Sequence, residues 1–200
     1  MPELTIRPGR ETDADALYDI CLRTADSGGD ATEQFHYPRL VGDLFAVPYL
    51  RLEPELVSVI DDGERAVGYI LGTDETARFE KARDEQWLPF RRELYPRDQV
   101  AVGSRDEVLI GQLHEPPRQS AEVLATHPAH LHIDLLPQAQ GRGFGRALME
   151  RFLGALRERG VSGVHLGYGA NNTRAGAFYQ RLGFHPLWPH ISPTLVGRDV

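Results

Sequence analysis

Cysteine is nearly missing from this chain: Cys21 stands alone among 200 residues. A lone thiol excludes an internal disulfide and any zinc site built from several cysteines, and its position on the apolar face of a predicted helix makes it a core side chain. No apolar run approaches the ~18 residues that a membrane span needs, and the first residues lack the basic and then apolar pattern of a secretory leader. The cytoplasm is the expected compartment, with no membrane partner. Basic residues are also in deficit, with 22 Lys and Arg against 29 Asp and Glu and a formal net charge of -7. That balance argues against a nucleic-acid partner, because long-range attraction to phosphate requires an excess of cations.

What is present suits one folded unit. With 41% hydrophobic and 26% charged residues, the chain holds enough apolar material for a sizeable core, and a single domain over residues 1–200 is expected. Leu4 to Arg7 reads as a strand, and Glu11 to Ala25 as an amphipathic helix with Ala14, Leu17, Ile20, Cys21 and Thr24 on one stripe. Pro38 to Leu52 has helical spacing and is expected to break at Pro48. Glu55 to Ile60 and Arg65 to Thr73 flank Asp62-Gly63, a step that predicts a hairpin. Asp74 to Leu94 is a charged helix interrupted near Pro89. Tyr95 to Pro128, with prolines at 96, 116, 117 and 128, predicts a long loop in which Gln112-Leu113-His114-Glu115 is a candidate substrate-side segment.

From His130 the pattern becomes regular: a strand from Leu131 to Leu136, a glycine turn, a helix from Arg142 to Arg159, a strand from Val164 to Tyr168, a helix from Arg174 to Leu182 and a last strand near Phe184 to Trp188. A β-α-β-α-β tail behind an antiparallel hairpin predicts an α/β fold with a central mixed sheet and helices on both faces.

The turn Gln140-Gly141-Arg142-Gly143-Phe144-Gly145-Arg146 places three glycines at alternate positions before a helix. Such a turn lets backbone N–H groups approach a ligand, and the helix start adds partial positive charge, so an anion suits it. Arg142, Arg146, Arg151, Arg157 and Arg159 against Glu150 and Glu158 make the following helix locally cationic. The spacing is neither the dinucleotide fingerprint nor a P-loop. A ligand-free connection between strand and helix would carry the same glycines.

On the preceding strand, alternation puts His130, His132 and Asp134 on one face and Leu131, Ile133 and Leu135 on the other. These three groups are candidates for moving a proton. His-x-His-x-Asp can also present metal ligands, but no further ligand cluster accompanies it and no metal is expected. Hydrogen-bonded histidines at a strand entrance are a third account. Farther on, Asn171 or Asn172 can cap a helix whose stripe is Ala175, Phe178 and Leu182, with Gly183 at its end. Tyr179 lies beside that stripe, free to pack or to offer its hydroxyl.

Gln-x-x-Gly-x-Gly after a strand ending in Leu-Leu-Pro resembles motif A of the GNAT superfamily of N-acetyltransferases, and Asn172-Thr173-Arg174-Ala175-Gly176-Ala177-Phe178-Tyr179 through Gly183-Phe184 resembles its second motif. The resemblance implies a GNAT fold with a mostly antiparallel twisted sheet. It also implies acetyl-CoA as cosubstrate, with its pyrophosphate on Gln140, Gly141, Arg142, Gly143, Phe144, Gly145 and Arg146. Main chain near Leu135 and Leu136 would polarise the thioester carbonyl. Asn172 would bind the pantetheine arm, Asn171, Ala175 and Phe178 would also meet the cofactor, and Tyr179 would protonate the departing thiolate. Ala129-His130-Leu131-His132 is similar to the strand of arylalkylamine N-acetyltransferases whose histidines relay a proton. Ile6-Arg7-Pro8, Leu40 to Asp43, Val47 to Leu50 and Trp87-Leu88-Pro89 resemble the acetyltransferase-like C-terminal domains of O-GlcNAcases, of which the animal form is regarded as a pseudo-acetyltransferase. An enzyme acting on an amine-bearing small molecule or peptide, as a monomer or homodimer, is therefore expected, and a cofactor-binding domain without turnover is the alternative.

Overall fold

In the computed structural model, which describes residues 3–187 and 194–200, strands β1 (Thr5–Pro8), β2 (Ser58–Asp61), β3 (Ala66–Thr73), β4 (Ala129–Leu135), β5 (Gly163–Gly167), β6 (His185–Pro186) and β7 (Leu195–Asp199) share one sheet. Their spatial order is β1-β2-β3-β4-β5-β7-β6. Only β4 and β5 run parallel, so the sheet is mixed and mostly antiparallel. The expected hairpin forms between β2 and β3, with Gly63 at φ +95° in a turn where Asp62 accepts from the N–H groups of Glu64 and Arg65.

One face of the sheet carries α1 (Ala14–Leu22), and α8 (Phe144–Glu158) packs on the other against β2, β3 and β4. In α8, Leu148, Met149, Phe152, Leu153 and Leu156 form the buried stripe, the spacing that places one helical side against the sheet. The Pro38 to Leu52 helix is two helices, α2 (Leu40–Phe45) and α3 (Val47–Leu52), and the charged helix after β3 is likewise α4 (Thr76–Gln86) and α5 (Leu88–Leu94). The breaks fall at Ala46 and Trp87, just ahead of Pro48 and Pro89, because proline fits the first turn of a following helix but not the interior of a preceding one.

The long loop expected over Tyr95 to Pro128 is instead largely helical: α6 (Arg105–His114) and α7 (Ala121–Thr126) occupy it. Each begins on a serine whose hydroxyl accepts from the helix, Ser104 from Glu107 N–H and Ser120 from Val123 N–H, a capping signal that the surrounding prolines obscured. Gln112 to His114 therefore belongs to α6, where Leu113 is buried in the core. The segment is tied down by buried carboxylates: Asp106 accepts from His36 and Tyr37 N–H, and Asp43 accepts from Tyr18, Tyr95 and Arg91. The remaining difference lies at the C-terminus. The last strand does form, as β6, but β7 intervenes between it and β5, pairing with β5 from Gly163↔Asp199 to Gly167↔Leu195. Trp188, the expected end of that last strand, lies outside the described residues.

The pairing of β4 sets up everything that follows. Against β3 it is continuous, from Gly68↔Leu135 to Thr73↔His130, whereas against β5 it comprises Ala129↔Val164 and His130↔His165. Beyond His130 the two parallel strands part and a wedge opens between them. The β3–β4 contact is close because Gly72 has no side chain: a Cβ there would press on the His130 carbonyl, 2.7 Å from Phe152 Cζ and 3.0 Å from Leu131 Cα. Gly72→Ala is expected to cost about 1–3 kcal/mol as overpacking against rigid backbone. Urea unfolding measures this, and an unchanged midpoint would contradict it.

Candidate active site

The glycine turn closes the wedge at one end. α8 begins at Phe144 with Gly143 as its left-handed N-cap, φ +83°, and Gly141 is left-handed too at φ +71°. A Cβ at either glycine would meet nothing within 4 Å, so the turn leaves an open cradle rather than a packed corner. The N–H groups of the first turn of α8 have no carbonyl in their own helix to bond. A diphosphate, which needs close N–H donors and open space, fits this cradle.

A cleft of about 630 Å³ runs from the cradle along β4. Ile133, Asp134 and Leu135 form its floor, Gln140, Gly141, Gly143, Gly145 and Arg146 one wall, and Asn171, Asn172, Ala175, Phe178 and Tyr179 the other. The last group comes from α9 (Thr173–Arg181) and the turn before it. Ser27 and Gly28, after α1, also line the cleft, and no sequence signal had marked them. Ser27 holds φ +53° there, a conformation uncommon outside glycine.

Several expected contacts take a different form. Leu136 is outside the cleft lining and 1% exposed, and its N–H donates to Val67 O at 2.9 Å. Its amide is thus spent in the sheet. Because antiparallel partners alternate their bonding sides, the N–H groups of Ile133 and Leu135 point the other way, into the wedge that β5 has left. Gln140 Nε2 donates to the Leu135 carbonyl at 2.7 Å, satisfying an acceptor that would otherwise face the gap. Arg142 and Phe144 are outside the lining, paired with each other by a guanidinium 5.6 Å from the ring centre. Of the arginines counted on α8, Arg151 donates to Ser58 and Arg159 to Glu55, so the cations lining the cleft are Arg146, Arg174 and Arg181. Asn172 caps α9 as its position predicts, accepting from Ala175 N–H at 3.0 Å.

Tyr179 stands in this cleft at 8% exposure, in ring contact with Tyr168, Phe178 and Phe184. Burial, with Asp134 and Tyr168 nearby, raises the phenol above its ordinary range, so it stays protonated as a donor. Asp134 is the carboxyl of the lining, and burial raises it while the hydrogen bond from Tyr69 Oη to Oδ2, at 2.7 Å, acts against that rise.

His130 and His132 share a face with Asp134, as alternation predicts, but neither lines the cleft. Tyr49 of α3 stands over both rings, its hydroxyl 2.6 Å from His130 Nε2 and 3.2 Å from His132 Nε2, and Thr76 Oγ1 is 2.7 Å from His130 Nδ1. The proton positions follow from the far end, where Thr76 Oγ1 lies 2.6 Å from the Pro128 carbonyl, which can only accept. Thr76 therefore donates to Pro128 and accepts from His130 Nδ1–H. His130 Nε2 then accepts from Tyr49, and Tyr49 accepts from His132 Nε2–H. Every short contact carries one proton, both rings are neutral, and the series ends on a carbonyl that cannot take a further proton. Burial, with His132, His165 and Arg83 near, drives His130 well below its ordinary range, and burial with His165 lowers His132 to about 4. A relay through this pair would have to leave a cation on His130. Among the described residues no group of three or more His, Cys, Asp or Glu is arranged to hold a metal ion.

Comparison with known proteins agrees with this geometry. Residues 72–184 match the acetyltransferase (GNAT) family. The crystal structure of SsHAT is 48% identical and superposes with a TM-score of 0.90 over 99% of this chain and 98% of that one. The protein O-GlcNAcase of Rattus norvegicus is 26% identical over 181 residues, 90% of this chain, so the chain spans about one fifth of that relative's length, 20%. The [ribosomal protein bS18]-alanine N-acetyltransferase of Escherichia coli is 34% identical over 80 residues, 39% of this chain and 54% of that protein.

A pH dependence of stability follows from the histidine network. His132 titrates at about 4 when folded against 6.5 for a free ring, so between those values the unfolded chain binds the proton first. Its contribution to stability is complete above about pH 6.5 and is lost as pH falls towards 4, by up to about 3 kcal/mol. His132→Asn is expected to flatten that window in urea unfolding at successive pH values. Equal slopes in the two proteins would rule out low titration of His132.

Proposed function

The chain belongs to the acetyltransferase (GNAT) family, and from that premise we propose that it transfers the acetyl group of acetyl-CoA to a primary amine by direct attack in a ternary complex. What supports this reading is that one cleft joins the open glycine turn to the buried Tyr179 along the edge of β4 beyond its pairing with β5. Bound acetyl-CoA supplies an activated thioester. Gly141, Gly143, Gly145 and Arg146 would hold the diphosphate, Arg174 and Arg181 would add to the field around it, and Asn171, Asn172, Ala175 and Phe178 would flank the arm.

The chain's own groups then divide the work. The N–H groups of Ile133 and Leu135 stabilise the negative charge that develops on the carbonyl oxygen. Asp134 takes the proton that the attacking nitrogen must lose, since it is the carboxyl on the cleft floor and its raised pKa brings it nearer to neutral operation. Tyr179 gives its phenolic proton to the departing sulfur. His130 and His132 hold the strand and its covering helices in register rather than carrying the proton. The acceptor on this reading is an amine-bearing small molecule or peptide, met in the cytoplasm by a monomer or homodimer. Among the described residues no helix is long and apolar enough to cross a membrane.

Thiol release from acetyl-CoA across amines, amino sugars, polyamines and peptides is expected to reveal turnover. Acetyl-CoA binding without release across the whole panel would replace the enzyme with a binding domain. Gly143→Asp places a carboxylate in the cradle and is expected to weaken acetyl-CoA at least tenfold by calorimetry, about 1.4 kcal/mol; unchanged affinity would move the diphosphate elsewhere. Tyr179→Phe and Asp134→Asn should each lower kcat by a factor of 10² or more with acetyl-CoA affinity held within about threefold. His132→Ala should retain most of the turnover, and its loss with an altered pH profile would return the proton to the histidines.

A further inference from the structure

Tyr69 is fully buried on β3 at the position paired with Asp134, and its hydroxyl donates to Asp134 Oδ2 at 2.7 Å. A phenylalanine would fill the same core volume without a polar atom to satisfy, so the hydroxyl serves the carboxyl rather than the packing. A phenol has one proton, and here it is committed to Oδ2. Asp134 lines the cleft together with Thr24, just after α1, whose hydroxyl also hydrogen-bonds the carboxyl. Oδ1 is the oxygen that Tyr69 leaves to the cleft side of Asp134, where Thr24 is its neighbour.

We propose that Tyr69 is a positioning residue for acetyl transfer: its hydroxyl fixes Oδ2 of Asp134 and leaves Oδ1 to receive the proton of the attacking amine. The inference rests on the reading of Asp134 as the proton acceptor. In the step, an N–H bond of the amine breaks and an O–H bond forms on Oδ1, while the Tyr69 proton stays on its own oxygen. That hydrogen bond favours the carboxylate over the acid, opposing the effect of burial, so it sets the pH at which Asp134 becomes competent. The other titratable groups facing Asp134 are Cys21 from α1 and Tyr179 from α9, both neutral at working pH because burial raises them, and the cleft adds Arg146, Arg174 and Arg181.

The test uses the full chain with carboxyl-labelled aspartate and CoA bound, following the carboxyl carbons by NMR across pH. Asp134→Asn removes one titrating resonance and so assigns it. In Tyr69→Phe that resonance is expected to titrate about one pH unit higher, and the acid limb of kcat/KM for the fastest amine of the panel moves up with it, at unchanged KM for acetyl-CoA. Replacing Tyr69 by 3-fluorotyrosine, a stronger donor of the same shape, should move both downward and guards against loss of folding in the first variant. If Asp134 titrates identically in all three proteins, or the rate limb stays fixed while the resonance moves, the positioning role is overturned. If Asp134→Asn turns over like the parent, the fault lies instead with Asp134 as acceptor.

Discussion

The parting of β4 from β5 after His130 is the constraint on which the site depends. Along its other edge β4 stays bonded to β3 through six successive partners, so the strand is held rigid while one edge is free. A free edge inside a protein leaves amide groups unpaired, which costs stability unless something else bonds them. Here the Gln140 amide takes the outward carbonyl of Leu135, and the remaining N–H groups face a cleft whose far wall is α9. Donors already fixed in direction lose no orientational freedom when charge develops opposite them, which is how electrostatic preorganisation assists acyl transfer.

Three titratable residues on one face of that strand meet different fates. His130 and His132 lie where α3 and α4 cover the sheet, and Tyr49 and Thr76 from those helices take their ring nitrogens into a series with one proton per contact. Asp134 lies past that cover, bonded by Tyr69 and facing the cleft beside Thr24. The same alternation that puts all three on one face says nothing about which is covered. Burial then acts with opposite chemical effect: it keeps the imidazoles neutral and raises the carboxyl towards neutral pH.

Much of the framework was legible because it depends on local rules. The Asp62-Gly63 hairpin, the breaks before Pro48 and Pro89 and the Asn172 cap all follow from backbone conformations written into a few adjacent residues. Residues 105–126 were illegible because what fixes their helices is distant. Asp106 binds the N–H groups of His36 and Tyr37, far away in the chain, and the short capped segments between prolines have weak periodicity. β7 is five residues containing one glycine, and its placement between β5 and β6 is a matter of pairing. The cation count on α8 misled for a similar reason, since a helix start attracts an anion locally while the destinations of Arg151 and Arg159 are set by Ser58 and Glu55 across the fold.

By itself the sequence determined the cradle, the helix caps and the alternation of β4, and through two motifs in order it identified the acetyltransferase family, because each is a short-range pattern with a short-range cause. Only the tertiary structure decided which groups share the cleft. It spent Leu136 N–H in the sheet, closed the histidines beneath Tyr49, and left Asp134 and Tyr179 in one cavity. Those outcomes depend on which strand edges pair and which helices lie over them. Such contacts form between residues far apart in the chain, and no window of sequence contains them.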